Sequence, residues 1–465
     1  MLKPCLLEEK KRNKDEVFKK EEYKIYEGIG NNKTYFVKTY GCQMNEHDSE
    51  NIRAILEELG FKQSNSIEES DLVILNTCAI RENAHNKVFG LLGRIKHSKE
   101  NKNVIVGLCG CMAQEESVVD LIIEKYKYID FVMGTHNIHK LPSILNEVLQ
   151  NKKVIEVYNR PTQIIENIPV KRDSNIKAWV NIMYGCDKFC TYCIVPYTRG
   201  SQRSRNKDDI INEVKDLVKN GYKEVTLLGQ NVNAYGKDLN SDYKMANLLE
   251  DVAKTGIERI RFVTSHPWDF EDEMIDVIAK YENIMPYIHL PLQSGSNRIL
   301  KLMGRRYTNE EYLNLYNKIK EKVKNASITT DIIVGFPGET REDFQETLDV
   351  VRKCKFDSAF TFIFSPRIGT PASRMEDIIS KEEKENWLHE LNELVNKYSR
   401  EKNESYEGKI VKVLIEGKSD KEGIMMGYTD TMKLVNVEAD ESLIGQIVDV
   451  KIIEAKTWSL NGKIN

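Results

Sequence analysis

Cys186, Cys190 and Cys193 place three thiols in eight residues with the spacing CxxxCxxC. Thiolates at this density suit iron–sulfur clusters or zinc. A structural zinc site ordinarily takes four ligands, and no fourth is evident here. A cubane 4Fe–4S cluster held by three cysteines leaves one iron without a protein ligand, and an open iron can bind and activate something. The pattern points away from a structural metal site and toward catalysis.

A second set lies upstream. Cys42, Cys78 and Cys111 each follow a predicted strand (Tyr35–Tyr40, Asp71–Asn76 and Val104–Leu108) and precede a predicted helix. In open α/β sheets such loops converge at the carboxyl edge, so three thiolates from three loops can meet at one cluster. The alternative is three buried cysteines acting as small hydrophobes. That reading is kept for Cys5 and Cys354, and Cys109 competes with Cys111 for the third position.

The chain of 465 residues has room for about three domains at roughly 150 residues each. Its 40% hydrophobic and 30% charged residues are ordinary for a soluble globular protein. No apolar run reaches the roughly 18 residues of a membrane span, and the N-terminus lacks the apolar stretch of a signal peptide. Nine cysteines in a large chain without a secretion signal suggest metal or redox chemistry in a reducing cytoplasm rather than disulfides. The net charge of −4 gives no global nucleic-acid signature, so an RNA partner would have to meet a local basic face.

Those cysteines need elements to hold them. After a disordered leader (1–32), residues 33–150 alternate strands with helices (Glu46–Leu59, Asn83–His97, Gln114–Lys125, Ile138–Leu149), with a fourth strand at Phe131–Gly134, which predicts a parallel α/β domain. The polar stretch 151–177 supplies a linker, taken as 151–171. The core, 172–403, repeats six strand–helix units with strands Ala178–Tyr184, Glu224–Gly229, Arg259–Ser265, Pro286–Leu292, Ile328–Gly335 and Ser358–Ser365. Six units are too few for a closed eight-fold barrel, so a partial (β/α)6 barrel is expected. Residues 404–465 alternate by twos between Gly and Asp turns, the pattern of a small antiparallel β-barrel.

In these motifs and their order the chain resembles the radical S-adenosylmethionine (SAM) methylthiotransferases, and among them the MiaB-type branch that modifies tRNA. The runs KTYGCQMN (38–45), NTCAIREN (76–83), YGCDKFCTYCIVPYTRG (184–200), LLGQNVNAYG (227–236), HLPLQSGS (289–296), DIIVGFPGET (331–340) and FSPRIGTPA (364–372) carry the likeness, which extends over 33–465. The resemblance implies that Cys186, Cys190 and Cys193 hold a SAM-binding 4Fe–4S cluster and Cys42, Cys78 and Cys111 an auxiliary one. It implies methylthiolation of carbon 2 of N6-isopentenyladenosine at position 37 of the tRNA anticodon loop. It also implies an electron donor such as flavodoxin or ferredoxin, a sulfur donor, and a C-terminal TRAM domain that binds RNA. No catalytic side chain is assigned beyond the cluster ligands.

By the same resemblance, Gly229, Gln230 and Asn231 after the second core strand, Gln293 and Ser294 after the fourth, and Gly335 and Glu339 after the fifth are candidate SAM contacts. They fall at carboxyl strand ends, where α/β active sites form. Glycines there also make turns and helix starts. Arg199, Arg203, Arg205, Arg305 and Arg306 stand among aromatic and hydroxyl residues, a composition that suits phosphate contact and base stacking. Lys409, Lys412, Lys433, Lys451, Lys456 and Trp458 offer a second local surface. His266 either approaches substrate or caps a turn. Rival readings are the same chemistry on a ribosomal-protein aspartate or on threonylcarbamoyl-adenosine in tRNA, and a non-catalytic iron–sulfur RNA-binding protein.

Overall fold

Leu72–Thr77 opens with four apolar residues in a row, a pattern that suits a strand covered on both faces. The computed structural model describes residues 2–6, 23–79, 82–160 and 164–465. In it this strand is β3 of a six-stranded parallel sheet formed by Thr34–Thr39 (β1), Lys62–Gln63 (β2), β3, Ile105–Gly110 (β4), Phe131–Met133 (β5) and Val154–Glu156 (β6). The spatial order is β2-β1-β3-β4-β5-β6. Helices Gln43–Glu58 and Leu141–Val148 bury Ile52, Ile55, Leu56 and Leu145 against Leu72, Ile74 and Phe131 on one face. Helices Glu82–Asn101 and Glu116–Lys125 bury Val88, Leu92 and Val119 against Val73, Leu75 and Leu108 on the other.

Two segments differ from the sequence expectation. The stretch expected as a linker contributes β6, which pairs with β5. Residues 7–22 of the expected leader lie outside the described residues, but its described ends pack on the sheet. Leu2 pairs with β6 through its N–H to Ile155 O (2.8 Å) and its carbonyl to Val157 N (3.0 Å), and Tyr23 and Tyr26 lie against the core. The physical reason is that β6 is an edge strand with unpaired backbone groups, and an extended neighbour satisfies them.

By contacts the chain forms two compact units, the second of which contains both the core and the small C-terminal barrel. The first comprises 1–173 together with 183–189 and 193–205, and the second comprises 174–182, 190–192 and 206–465. The second opens with Lys177–Asn181 (β7). Met183–Tyr184 (β8) and Arg203–Ser204 (β9) pair antiparallel within the first, so the predicted strand 178–184 is interrupted after Asn181.

In the second unit, Glu224–Leu228 (β10) lies between β7 and Arg259–Phe262 (β11), and Ser327–Val334 (β13) lies between Tyr287–His289 (β12) and Ser358–Ile363 (β14). All these pairs are parallel, and a single bridge from Ile260 to Ile284 joins the two sheets. The result is the expected partial barrel of six strands. The closed C-terminal barrel is built from Ile410–Lys418 (β15), Ile424–Thr429 (β16), Leu434–Glu438 (β17), Ile447–Ala455 (β18) and Leu460–Ile464 (β19). Its ladders are antiparallel except for the parallel β17–β19 pair. Among the described residues, no helix is long and apolar enough to cross a membrane.

Polar contacts seat the small barrel on the amino ends of the core strands. Arg259, buried at the start of β11, donates to Tyr428 O (2.8 Å) and Lys412 O (3.1 Å). Lys177 pairs with Glu416, and Lys433 with Asp357 at 3.2 Å, that lysine being buried rather than available to RNA. Charged donors to buried carbonyls contribute about 1.5–3 kcal/mol each, and their loss strands the carbonyls. Arg259→Ala is therefore expected to destabilise the second unit by about 2–4 kcal/mol. Faster limited proteolysis around residue 405 and a lower melting temperature would register it.

Candidate functional site

Cys42 is the residue before helix Gln43–Glu58, Cys78 follows β3, and Cys111 begins a one-turn helix after β4. All three stand at the carboxyl edge of the first sheet, as expected. Cys109 points into the apolar core with Phe131 and Ile74, which removes it from competition with Cys111. The packing that directs Cys111 outward includes Gly110, whose φ of +91° is a left-handed conformation. A Cβ there would overlap Asn76 Oδ1 and the Thr77 carbonyl.

Asn45 and Asn76 brace this edge. Asn45 Nδ2 donates to Thr77 O (2.9 Å), and Asn76 Nδ2 donates to Asn45 O (2.8 Å) and Ser49 Oγ (2.8 Å). Burial pushes the Cys111 thiol up to about 12; the Arg199 guanidinium pulls it down, and the nearby thiols Cys78 and Cys42 push it further up. Three mutually repelling thiolates in one desolvated place are stable only with a cation among them, which fits a cluster. Among the described residues no three His, Cys, Asp or Glu side chains converge closely enough for a single ion. A cubane, in which each thiolate takes a different iron, asks for a wider spread.

In the loop that follows β8, Cys186 N donates to Gly200 O (3.1 Å), and Lys188 N donates to Cys186 Sγ (3.4 Å). Gly185 holds φ +72°, and a Cβ there would overlap Ser201 O and Gly200 O. In the second unit Cys190 Sγ accepts from Arg305 Nη1 (3.6 Å), while Arg305 Nη2 donates to Pro291 O (3.1 Å). Each of these two cysteines thus has a donor aimed at its sulfur, an arrangement that suits a metal ligand.

The carboxyl ends of the core strands carry a set of buried acceptors without partners: Gln230 Oε1 and Asn231 Oδ1 after β10, Ser265 Oγ after β11, Gln293 Oε1 after β12 and Glu339 Oε1 after β13. Buried polar atoms are normally satisfied, so a row of open ones fits a polar ligand. Backbone strain coincides with it, since Thr264 (φ +68°) and Gln293 (φ +69°) are non-glycine residues in the left-handed region. Asn231 Nδ2 donates to Asp269 Oδ2 (2.7 Å), which leaves only its oxygen open. His266 resolves as a turn cap, its Nδ1 accepting from Trp268 N at 3.3 Å. Ser265 and Thr264 were missed by sequence reasoning, which reads no strain from a local pattern.

Glu339 Oε2 accepts from Gly335 N (2.6 Å) and Phe336 N (3.1 Å) and so holds the loop after β13. Burial raises its carboxyl to about 7, partly offset by those two N–H donors. Between pH 4.5 and about 7 the folded chain keeps a proton there that the unfolded chain has released. This carboxyl therefore favours folding below pH 4.5 and loses that contribution as pH rises through about 7, on the order of 3 kcal/mol in all. With SAM withheld, melting temperature should fall between pH 5.5 and 8, and Glu339→Gln should flatten the fall. An identical slope in the variant would contradict this assignment.

Several expected contacts are corrected by their surroundings. Ser294 is fully buried, its hydroxyl held by Thr347 Oγ1 (3.3 Å) and Ser296 N (3.2 Å), so it shapes a turn and has no hydroxyl to offer a ribose. Arg199, Arg205 and Arg305 do not present charge to RNA: all three are buried, on Asp48, Glu166 and the Cys190 loop respectively. A desolvated guanidinium needs fixed partners, and these three have found them. Arg203 lies over the Tyr184 ring (5.7 Å) and exposed Arg306 over Trp268 (5.0 Å). Lys409, Lys412, Lys451, Lys456 and Trp458 are exposed on the small barrel. On β14, Phe360 and Phe362 are 54% and 47% exposed. Their face is opposite to Thr361, which bonds Asn392 of helix Lys381–Glu404, and Phe360 meets the His289 ring at 5.9 Å.

The comparisons with known proteins agree with this architecture. Residues 180–351 match the Radical SAM superfamily, 34–134 an uncharacterized protein family, UPF0004, and 404–464 the TRAM domain. A solved radical SAM methyltransferase, TsrM from Kitasatospora setae with cobalamin and a [4Fe-4S] cluster, shares the fold at TM-score 0.55 and 13% identity, over 73% of this chain and 74% of that one. The tRNA-2-methylthio-N(6)-dimethylallyladenosine synthase of Staphylococcus epidermidis is 55% identical over 99% of this chain and 91% of its own length. Synthases of the same name from Bacillus cytotoxicus and Anoxybacillus flavithermus are 54% and 53% identical, covering 99% of this chain and 92% and 89% of theirs. With that identity over nearly its whole length, the chain belongs to the tRNA-2-methylthio-N(6)-dimethylallyladenosine synthase family, the tRNA methylthiotransferases of the radical SAM superfamily.

Proposed function

We infer that this enzyme adds a methylthio group to carbon 2 of N6-dimethylallyladenosine at position 37 of the tRNA anticodon loop, using SAM and two 4Fe–4S clusters. The observation that carries the reading is the row of open, buried acceptors on four successive strand ends of a core whose first strand leads into CxxxCxxC. Cys186, Cys190 and Cys193 would hold the SAM-binding cluster, and Cys42, Cys78 and Cys111 the auxiliary one. When bound, these groups supply an electron to SAM and a place to hold sulfur. Carbon 2 of adenine carries a hydrogen that no side-chain base can remove, which is why the reaction needs that chemistry.

The chain's own residues bind and orient. Gln230, Asn231, Gln293 and Glu339 offer oxygens to the amine and hydroxyl donors of SAM. Gly229 and Gly335 let the backbone come close to it, and Ser294 acts only through its turn. Phe360 and Phe362 give the adenine an aromatic surface, where stacking contributes roughly 1–3 kcal/mol per base. Arg203 and Arg306, with the exposed lysines of the TRAM barrel, would meet tRNA phosphates. Reductant enters from a donor of the flavodoxin or ferredoxin type, and sulfur from a separate donor, in the cytoplasm. The test is to incubate reconstituted protein with SAM, reductant and dimethylallylated tRNA and to examine the nucleosides by mass spectrometry. Appearance of the methylthio nucleoside supports the reading. Its absence, or mass gained by a ribosomal protein instead, overturns it.

A further inference from the structure

Arg199 lies six residues beyond Cys193, yet its side chain reaches the other cysteine set. Its Nε donates to Cys111 Sγ at 3.2 Å. Nη2 donates to Asp48 Oδ2 (2.6 Å) and Asn45 Oδ1 (2.9 Å), and the residue is 4% exposed. The next residue, Gly200, accepts from Cys186 N through its carbonyl at 3.1 Å. Two consecutive residues therefore touch one cysteine of each set, one by side chain and the other by backbone. The turn that carries them is itself anchored, since Thr135 Oγ1 donates to Thr198 O at 2.7 Å.

A phosphate ligand does not explain this placement, because the charge is buried and already neutralised by Asp48. Nor does simple structural pairing, because the Nε bond goes to a sulfur. We propose that Arg199 is a positioning residue for the auxiliary cluster, fixing the direction of Cys111 and raising that cluster's reduction potential. Asp48 opposes it as the counter-charge. The inference rests on the reading of Cys42, Cys78 and Cys111 as ligands. Its physical basis is that hydrogen bonds and positive charge beside a cluster sulfur stabilise the reduced state more than the oxidised one.

The two partners make predictions of opposite sign. In the full-length chain carrying Cys186→Ala, Cys190→Ala and Cys193→Ala, only the auxiliary cluster remains, and its midpoint potential can be read by titration followed by electron paramagnetic resonance. Arg199→Gln should shift the potential down, Asp48→Asn should shift it up, and Arg199→Lys should lie nearer the parent. Iron content and circular dichroism establish that each variant is folded and loaded. Loss of iron from a folded Arg199→Gln chain also supports the proposal, since Cys111 would have lost its hold. If that variant does not fold, the upward shift in Asp48→Asn carries the test alone. Unchanged potentials in loaded variants overturn the role of Arg199 and leave the ligand assignment standing. A parent chain that takes up no iron overturns the ligand assignment, and the inference with it.

Discussion

Cys186→Ala is expected to abolish SAM cleavage, whereas Cys78→Ala is expected to cleave SAM still and to make no methylthiolated tRNA. The contrast follows from where each thiol stands. Cys186 is placed by the loop after β8, with a backbone donor from Lys188 to its sulfur and its own N–H bonded to Gly200. Cys78 follows β3 in the first sheet, among Cys42 and Cys111. With Cys186, Cys190 and Cys193 holding one cluster and Cys42, Cys78 and Cys111 the other, loss of one thiolate would undermine only the cluster of its own set. Release of 5′-deoxyadenosine, measured beside nucleoside mass spectra on the same samples, separates the two outcomes. Equal loss of SAM cleavage in both variants, with the first cluster intact, would contradict the division of labour.

Gly110 and Gly185, which immediately precede Cys111 and Cys186, should be nearly as sensitive as the cysteines themselves. Both have left-handed backbone, which costs an ordinary residue about 1–2 kcal/mol. Both also lie where a Cβ would overlap carbonyl oxygens, and overpacking of that kind costs about 1–3 kcal/mol more. Backbone oxygens cannot swing away as a side chain can, so the loop itself must move. Gly110→Ala is expected to lose the auxiliary cluster's iron and keep SAM cleavage, and Gly185→Ala to do the reverse. Iron and sulfide per chain, with Mössbauer spectra, would show one cluster lost in each. Full loading of both variants would refute the steric argument.

Much of this molecule was legible in one dimension because its signals are local. The spacing of Cys186, Cys190 and Cys193 is a property of eight consecutive residues. The positions of Cys42, Cys78 and Cys111 follow from strand–loop–helix alternation, and parallel topology then puts all three at one sheet edge. The six-strand core and the small barrel are likewise periodic patterns. The short β2 and β6 were not visible, because Lys62–Gln63 is polar and Val154–Glu156 lies within a polar stretch, so both are strands only by virtue of a neighbour.

The arginines mark the boundary between the two kinds of information. As a sequence, Arg199, Arg203, Arg205, Arg305 and Arg306 are alike: basic residues among aromatics, near the cysteines. Tertiary structure separates them. Asp48, 151 positions away, Glu166 and Cys190 hold three of the five as buried side chains, while Arg203 and Arg306 lie over the rings of half-buried Tyr184 and exposed Trp268. The same division applies to Gln293 and Ser294, adjacent in the chain, of which one keeps an open oxygen and the other has its hydroxyl held by Thr347. Sequence alone determined which residues could bind metal and in what order the elements come, since both are written in spacing and period. Which polar groups are left open for a ligand depended on what the fold buries beside them, and burial is set by residues far away in the chain.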